Sequence, residues 1–292
     1  MTMTEPTTHT LDVPGAVLTY DVRANDSSTA PVLLLIGSPM GATGFGTLAG
    51  HFPERTVVTY DPRGVERSER TDGALESTPE MHAEDLSRLI SALDAGRVDI
   101  FASSGGAVNA LALVARHPDR VLTLVAHEPP VAQLLPDRES ALSACRAVSE
   151  TYQRSGFGAG MAKFIALVSH KGPMSADDTA LPDPDPATFG LPTEDDGSRD
   201  DALLAQNMVS STHYAPDFDA LRTASTRIVV ATGTESEGEL AHRAALALAE
   251  RLATLPVMFP SNHGGFLGDE YGQPGDPDAF AARLREVLDS GA

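Results

Sequence analysis

Apolar and β-branched residues recur along the chain in short runs: Pro31 to Gly37, Thr56 to Tyr60, Val98 to Ala102, Val121 to Ala126, Arg227 to Ala231 and Leu255 to Phe259. Runs of this kind, punctuated by Gly, Pro and Asp, are how strands read when both faces of a parallel sheet are covered. Between them the spacing turns helical. Pro79 to Leu93 carries Leu86, Leu89, Ile90 and Leu93 at helical intervals, and Gly105 to Arg116 and Glu239 to Leu252 are rich in Ala and Leu. Leu11 to Arg23, alternating around Pro14-Gly15, predicts an antiparallel hairpin ahead of the parallel strands. The alternation as a whole predicts an α/β fold on an eight-stranded, mostly parallel sheet flanked by helices.

One long interval breaks this rhythm. Between His127 and Arg227 helical patches occur at Glu139 to Tyr152, Gly158 to Ser169 and Asp200 to Ser211, with no strand pattern. Gly172 to Arg199 is dense in Pro, Asp, Gly and Thr, the composition of loop or disorder. Residues 132–226 are therefore expected to form a helical cap inserted into an α/β core of residues 1–131 and 227–292. The cap offers Met161, Phe164, Ile165, Leu167 and Val168, more apolar surface than one helix face needs. That surplus is expected to cover either the sheet or a small apolar ligand.

Composition narrows the function. No apolar run approaches the roughly 18 residues of a membrane-spanning helix. Met1 to Pro14 is rich in Thr and lacks the basic start and apolar stretch of a secretory signal, so a cytoplasmic location is expected. The single cysteine, Cys145, excludes an internal disulfide or a multi-cysteine metal site. With 41 acidic residues against 21 basic ones, a net charge of -20 repels nucleic acid and anionic lipid. The expected partner is a small, neutral molecule.

The strongest chemical signal lies where the run Val98 to Ala102 meets a helix, at Ala102-Ser103-Ser104-Gly105-Gly106. A nucleophile on such a strand-to-helix turn needs small residues two positions before and after it, because the turn presses those backbones together. Ala102 and Gly106 meet that need around Ser104, whereas a nucleophile at Ser103 would place Phe101 in one of those slots. The turn also sets the hydroxyl at a helix N-terminus, where the amide of Gly105 favours a developing oxyanion. A second oxyanion donor is expected from Ile36-Gly37-Ser38-Pro39-Met40-Gly41, at the amide of Ser38, since Pro39 has no N–H.

A serine nucleophile needs a base. Of the nine histidines, His263 alone follows the last strand, in Pro260-Ser261-Asn262-His263-Gly264-Gly265, a loop that returns to the carboxyl edge of the sheet. Two carboxylates preserve the order serine, acid, histidine: Glu128, directly after Val121 to Ala126 and held by Pro129-Pro130, and Glu235, in the polar loop after the next strand. The glycines Gly37, Gly41, Gly44 and Gly46 also invite a reading as a dinucleotide loop. Against it, the loop follows the third strand and Pro39 interrupts it, and none of the five tyrosines has a lysine four residues on. With no Walker loop, His-Glu-x-x-His helix or calcium loop, no cofactor and no metal is expected.

Taken together, Leu33 to Gly41, Thr59-Tyr60-Asp61-Pro62-Arg63-Gly64 with Ser68, the turn Ala102 to Gly106, Arg116-His117-Pro118 and His263 resemble the α/β-hydrolase superfamily. Ala102 stands where that family usually has Gly, and Ile36 where a His-Gly pair normally shapes the oxyanion loop. A narrower resemblance is to the zearalenone lactonases, which have a Ser-Ser-Gly turn and a His-Glu-x-Pro segment whose glutamate orients the histidine. Ser103-Ser104-Gly105 and His127-Glu128-Pro129-Pro130 match that pattern, and the resemblance implies Glu128 as the acid. Those lactonases present a cap tryptophan to substrate, and this chain has none. The reaction implied is hydrolysis of an ester or lactone through an acyl-enzyme. A carbon–carbon bond hydrolase, or a catalytically degenerate member that binds a ligand or acts as a cyclase, uses the same frame. Aspartate-dependent dehalogenase and epoxide hydrolase chemistry does not fit a serine at this position.

Overall fold

The computed structural model describes residues 5–175, 183–272 and 275–290. An antiparallel hairpin of β1 (Thr7–Val13) and β2 (Ala16–Arg23) leads into the sheet. Strand β4 (Val57–Asp61) runs antiparallel to β2 and parallel to β3 (Leu33–Ile36). From there β6 (Val98–Ser103), β7 (Val121–His127), β8 (Arg227–Gly233) and β9 (Val257–Phe259) follow side by side, all parallel. The full order is β1-β2-β4-β3-β6-β7-β8-β9. These are the eight expected strands. A ninth, β5 (Glu69–Arg70), is two residues long and pairs with β2; so short and polar a segment carries no apolar pattern.

Each central strand divides its side chains between two cores. Leu34, Ile36, Ile100, Ala102, Leu124 and Val230 face one layer, with α2 (Pro79–Ala92) and α3 (Gly105–Arg116). Leu33, Leu35, Phe101, Val125 and Ala231 face the other, with α1 (Gly46–Gly50) and the terminal helix. Successive strand residues point to opposite faces, so burial on both sides is what made these segments unbroken apolar runs. Thr78 caps α2 by accepting from the Met81 amide, with Pro79 at its first turn.

The helical excursion between β7 and β8 is carried by α4 (Arg138–Ser169). Here the structure differs from the two separate patches expected: they form one element with a break at Gly156, whose φ of 82° suits glycine. A side chain at Gly156 would also collide with Asp195. The expected helix Asp200 to Ser211 is a π-helical turn, Ala202–Asn207, followed by α5 (Met208–Thr212). A short helix, α6 (Phe218–Thr223), was not expected; it buries only Phe218 and Leu221. Of the loop Gly172 to Arg199, residues 176–182 lie outside the described residues, and the rest is irregular apart from the turn Pro186–Phe189. The excursion packs Tyr152, Leu204 and Met208 with Leu240 and Ala244 of α7 (Leu240–Arg251). Helix α8 (Pro277–Asp289) closes the far side of the sheet, and no described helix is long and apolar enough to cross a membrane.

Candidate active site

Ser104 sits between β6 and α3 at φ 56° and ψ −127°, a left-handed, strained conformation. The turn is held by the Ser104 amide, which donates to the carbonyl of His127 at 3.0 Å. At Gly106 a Cβ would stand 2.7 Å from the Gly37 Cα and the Ile36 carbonyl, so only glycine lets α3 approach the loop after β3. Ser103 is buried, and its hydroxyl pairs instead with His127 Nδ1 at 3.3 Å.

Glu128 leaves the end of β7 at φ 46° and is fully buried. Its Oε2 lies 2.7 Å from His263 Nδ1. Its Oε1 accepts from the Gly233 amide at 2.8 Å and from the Ser236 hydroxyl. Burial alone would raise this carboxyl, but the His263 hydrogen bond and the other donors outweigh it and hold it down at about 2. Glu235, the other carboxylate considered, is exposed, and its backbone amide donates to Ser261. The loop after β8 thus meets Glu128 through Ser236, a residue that no motif in the sequence marks.

The imidazole of His263 is 38% exposed and lines the same cavity as Ser104. Among the described residues no hydrogen bond joins the Ser104 hydroxyl to that ring, as is common before substrate binding draws catalytic groups together. His127 stacks on it with ring centroids 5.9 Å apart, enclosed by Phe101, Phe259, Phe266 and Phe280. Burial lowers His127 to about 4, so it is neutral at pH 7.

The oxyanion candidates also converge. The Ser38 carbonyl packs against Gly105, and among the described residues neither the Ser38 nor the Gly105 amide donates to another backbone group. Ser38 is anchored through its hydroxyl, 3.5 Å from Asn207 Oδ1, which also accepts from His82 Nε2 at 2.9 Å. The far end of this loop is tied by Asp61, which accepts from the Ala42 amide at 2.8 Å and from Arg67. Arg63 pairs with buried Asp85 through two 2.7 Å bonds, and Ser68 donates to the Asp61 carbonyl at 2.6 Å. The Tyr60 to Ser68 motif is thus the brace behind the loop after β3.

A cavity of about 580 Å³ opens onto Ser104 and His263. Its walls are mainly apolar, with Met40, Phe164, Leu167, Val168, Met208 and Leu267 prominent, and Lys171 and Glu239 adding charge. Of the surplus apolar residues expected in the excursion, Phe164, Leu167 and Val168 reach the cavity; Met161 packs within the excursion, and Ile165 is not part of the wall. Cys145 also borders it, its thiol pushed up to about 11 by burial. His170 and His213 do not line it. Among the described residues no group of three or more His, Cys, Asp or Glu could hold a metal ion.

Comparison with known proteins gives a consistent result. The alpha/beta hydrolase fold family model matches residues 30–152. The uncharacterised hydrolase YraK of Bacillus subtilis is 32% identical over 263 residues, covering 88% of this chain and 89% of YraK. An esterase from Thermogutta terrifontis superposes with a TM-score of 0.65 at 20% identity, over 98% of this chain and 99% of that one. A carboxylesterase of Nitrososphaera gargenis gives 0.66 at 16% identity, over 97% and 98%.

Proposed function

The chain belongs to the α/β-hydrolase family, and from that premise we propose that it is a serine hydrolase cleaving an ester or lactone of a small apolar molecule. The observation that carries the reading is the 2.7 Å contact of His263 Nδ1 with buried Glu128, on the cavity that Ser104 lines. A carboxylate on Nδ1 fixes the tautomer that leaves Nε2 free to take a proton, and stabilises the imidazolium that results.

In this mechanism His263 Nε2 removes the Ser104 proton as Oγ forms a bond to the substrate carbonyl carbon. The amides of Ser38 and Gly105 hold the oxygen that gains the negative charge. The tetrahedral centre collapses, the carbon–oxygen bond of the ester breaks, and the leaving alkoxide takes the proton from His263. Water then gives a proton to His263 and attacks the acyl carbon; the bond to Ser104 Oγ breaks, His263 returns the proton to Oγ, and the carboxylic acid leaves. The apolar walls favour an apolar substrate, while lactone cleavage rests on the likeness of Ser103-Ser104-Gly105 and His127-Glu128-Pro129-Pro130 to the zearalenone lactonases. The excursion 132–226 serves as the cap that shapes the cavity.

A fluorophosphonate probe tests the reading, since it labels only an activated serine. Labelling at Ser104, with turnover of p-nitrophenyl esters, is the expected result. An unlabelled protein would instead be a ligand-binding or cyclase relative with the same frame.

A further inference from the structure

We propose that the Ser211 hydroxyl is a third hydrogen-bond donor to the substrate carbonyl oxygen as it becomes an oxyanion, a role that rests on the serine-hydrolase reading above. Three consecutive hydroxyls on α5 have different fates. Ser210 Oγ donates to the Ser77 carbonyl at 2.6 Å, and Thr212 Oγ1 to the Met208 carbonyl at 2.8 Å. Ser211, between them, is buried and lines the cavity, and its hydroxyl has no hydrogen-bond partner among the described residues. Its oxygen opens onto the cavity, so with neither neighbour's backbone carbonyl claiming it, the hydroxyl is free to donate to whatever acceptor enters there.

Its position identifies that acceptor. Ser211 Oγ lies 3.4 Å from where a Cβ on Gly105 would stand, so it borders the residue whose amide is an oxyanion donor. The preceding π-helical turn, Ala202–Asn207, sets this placement, because its wider turn changes which residues of the following helix face the site. Asn207 at its end also anchors Ser38. One turn of the excursion thereby fixes one donor and delivers another. With Ile36 where the family has His-Gly, the loop after β3 offers the Ser38 amide and Ser211 supplements it from α5, both next to Gly105. A hydroxyl can donate to an oxyanion as an amide does, and such donors act mainly on the transition state.

The test compares Ser211→Ala and Ser211→Cys with wild type on p-nitrophenyl acetate and butyrate, whose acyl groups carry no other polar atom. Removing one oxyanion donor is expected to lower kcat on the order of 10²-fold on both esters, with KM little changed. The cysteine variant keeps the volume with a poorer donor and is expected to be slowed as well. Because the hydroxyl makes no hydrogen bond within the protein, the melting temperature of either variant should stay near that of wild type. A wild-type kcat in both variants, a change in KM alone, or a loss that depends on acyl length would overturn the assignment. Labelling of Ser104 separates the two readings. A wild-type protein that the fluorophosphonate fails to label sinks both, whereas normal labelling with an unaffected Ser211→Ala sinks only the role of Ser211.

Discussion

The Ser236 hydroxyl donates to Glu128 Oε1 while Glu128 Oε2 receives His263, so the loop after β8 grips the carboxylate that, in the proposed mechanism, orients the base. Ser236→Ala leaves Oε1 with the Gly233 amide alone. A turnover loss of about tenfold is expected, far smaller than the roughly 10⁴-fold expected for Glu128→Gln, which removes the charge and leaves the imidazole in the wrong tautomer. Exposed Glu235, converted to Gln, is expected to change kcat less than twofold. Steady-state kinetics on one p-nitrophenyl ester ranks the three variants, and a larger effect at Glu235 than at Glu128 would remove Glu128 from its role.

Ser104→Ala is expected to abolish ester hydrolysis and fluorophosphonate labelling without disturbing the fold, since alanine keeps the Cβ and loses only the hydroxyl. Ser103→Ala loses a 3.3 Å contact to His127 and is expected to retain most of the rate. Swapped results would mean that the turn presents Ser103 to substrate.

The sequence made the sheet legible because burial on both faces leaves an unbroken apolar signature, as in Leu33 to Ile36 and Leu124 to Ala126. Strand β5 had no such signature. The break at Gly156 was read as a gap between two helices, because a glycine pair flanking Phe157 looks the same in a broken helix and in a loop. That Ser104 and His263 would meet at one cavity was readable from local turn chemistry and chain order. The choice between Glu128 and Glu235 was not local: it depends on the register that sets the Glu128 amide on the Ala231 carbonyl and turns Ser236, rather than Glu235, inward. Ser211 stayed hidden for a related reason, since the π-helical turn alters the helical phase without marking the sequence.

Two buried histidines set an acid limit on stability. Burial lowers both His82 and His127 from 6.5 to about 4, so the folded protein refuses protons that the unfolded chain accepts. Their contribution is therefore complete above about pH 6.5 and is lost as pH drops toward 4. Glu128 acts in a lower window: its carboxyl, held at about 2, contributes stability above pH 4.5 that is lost as pH falls toward 2. His127→Phe, which suits the surrounding phenylalanines, is expected to reduce the slope of urea stability between pH 6.5 and 4. An unchanged slope would show that His127 does not limit acid stability.

Substrate length should be read by the excursion rather than by the catalytic groups. Phe164, Leu167 and Val168 stand on the cavity wall, while Ser104, His263 and the proposed oxyanion donors Ser38 and Gly105 follow the carboxyl ends of β3, β6 and β9. An acetyl ester needs none of these apolar side chains, whereas longer acyl chains must extend along the apolar wall and gain burial there, at about 25 cal/mol per Å². Phe164→Ala is thus expected to leave p-nitrophenyl acetate hydrolysis within about twofold of wild type and to shift the optimum acyl length by lost contact or by enlarged space. Ile165, which is off the wall, supplies the control: Ile165→Ala should preserve the ranking of esters. Measuring kcat/KM across acetate to decanoate esters for both variants decides the matter. A uniform slowing of every ester by Phe164→Ala would make that side chain structural, and a re-ranking by Ile165→Ala would place the acyl chain on a different face of α4.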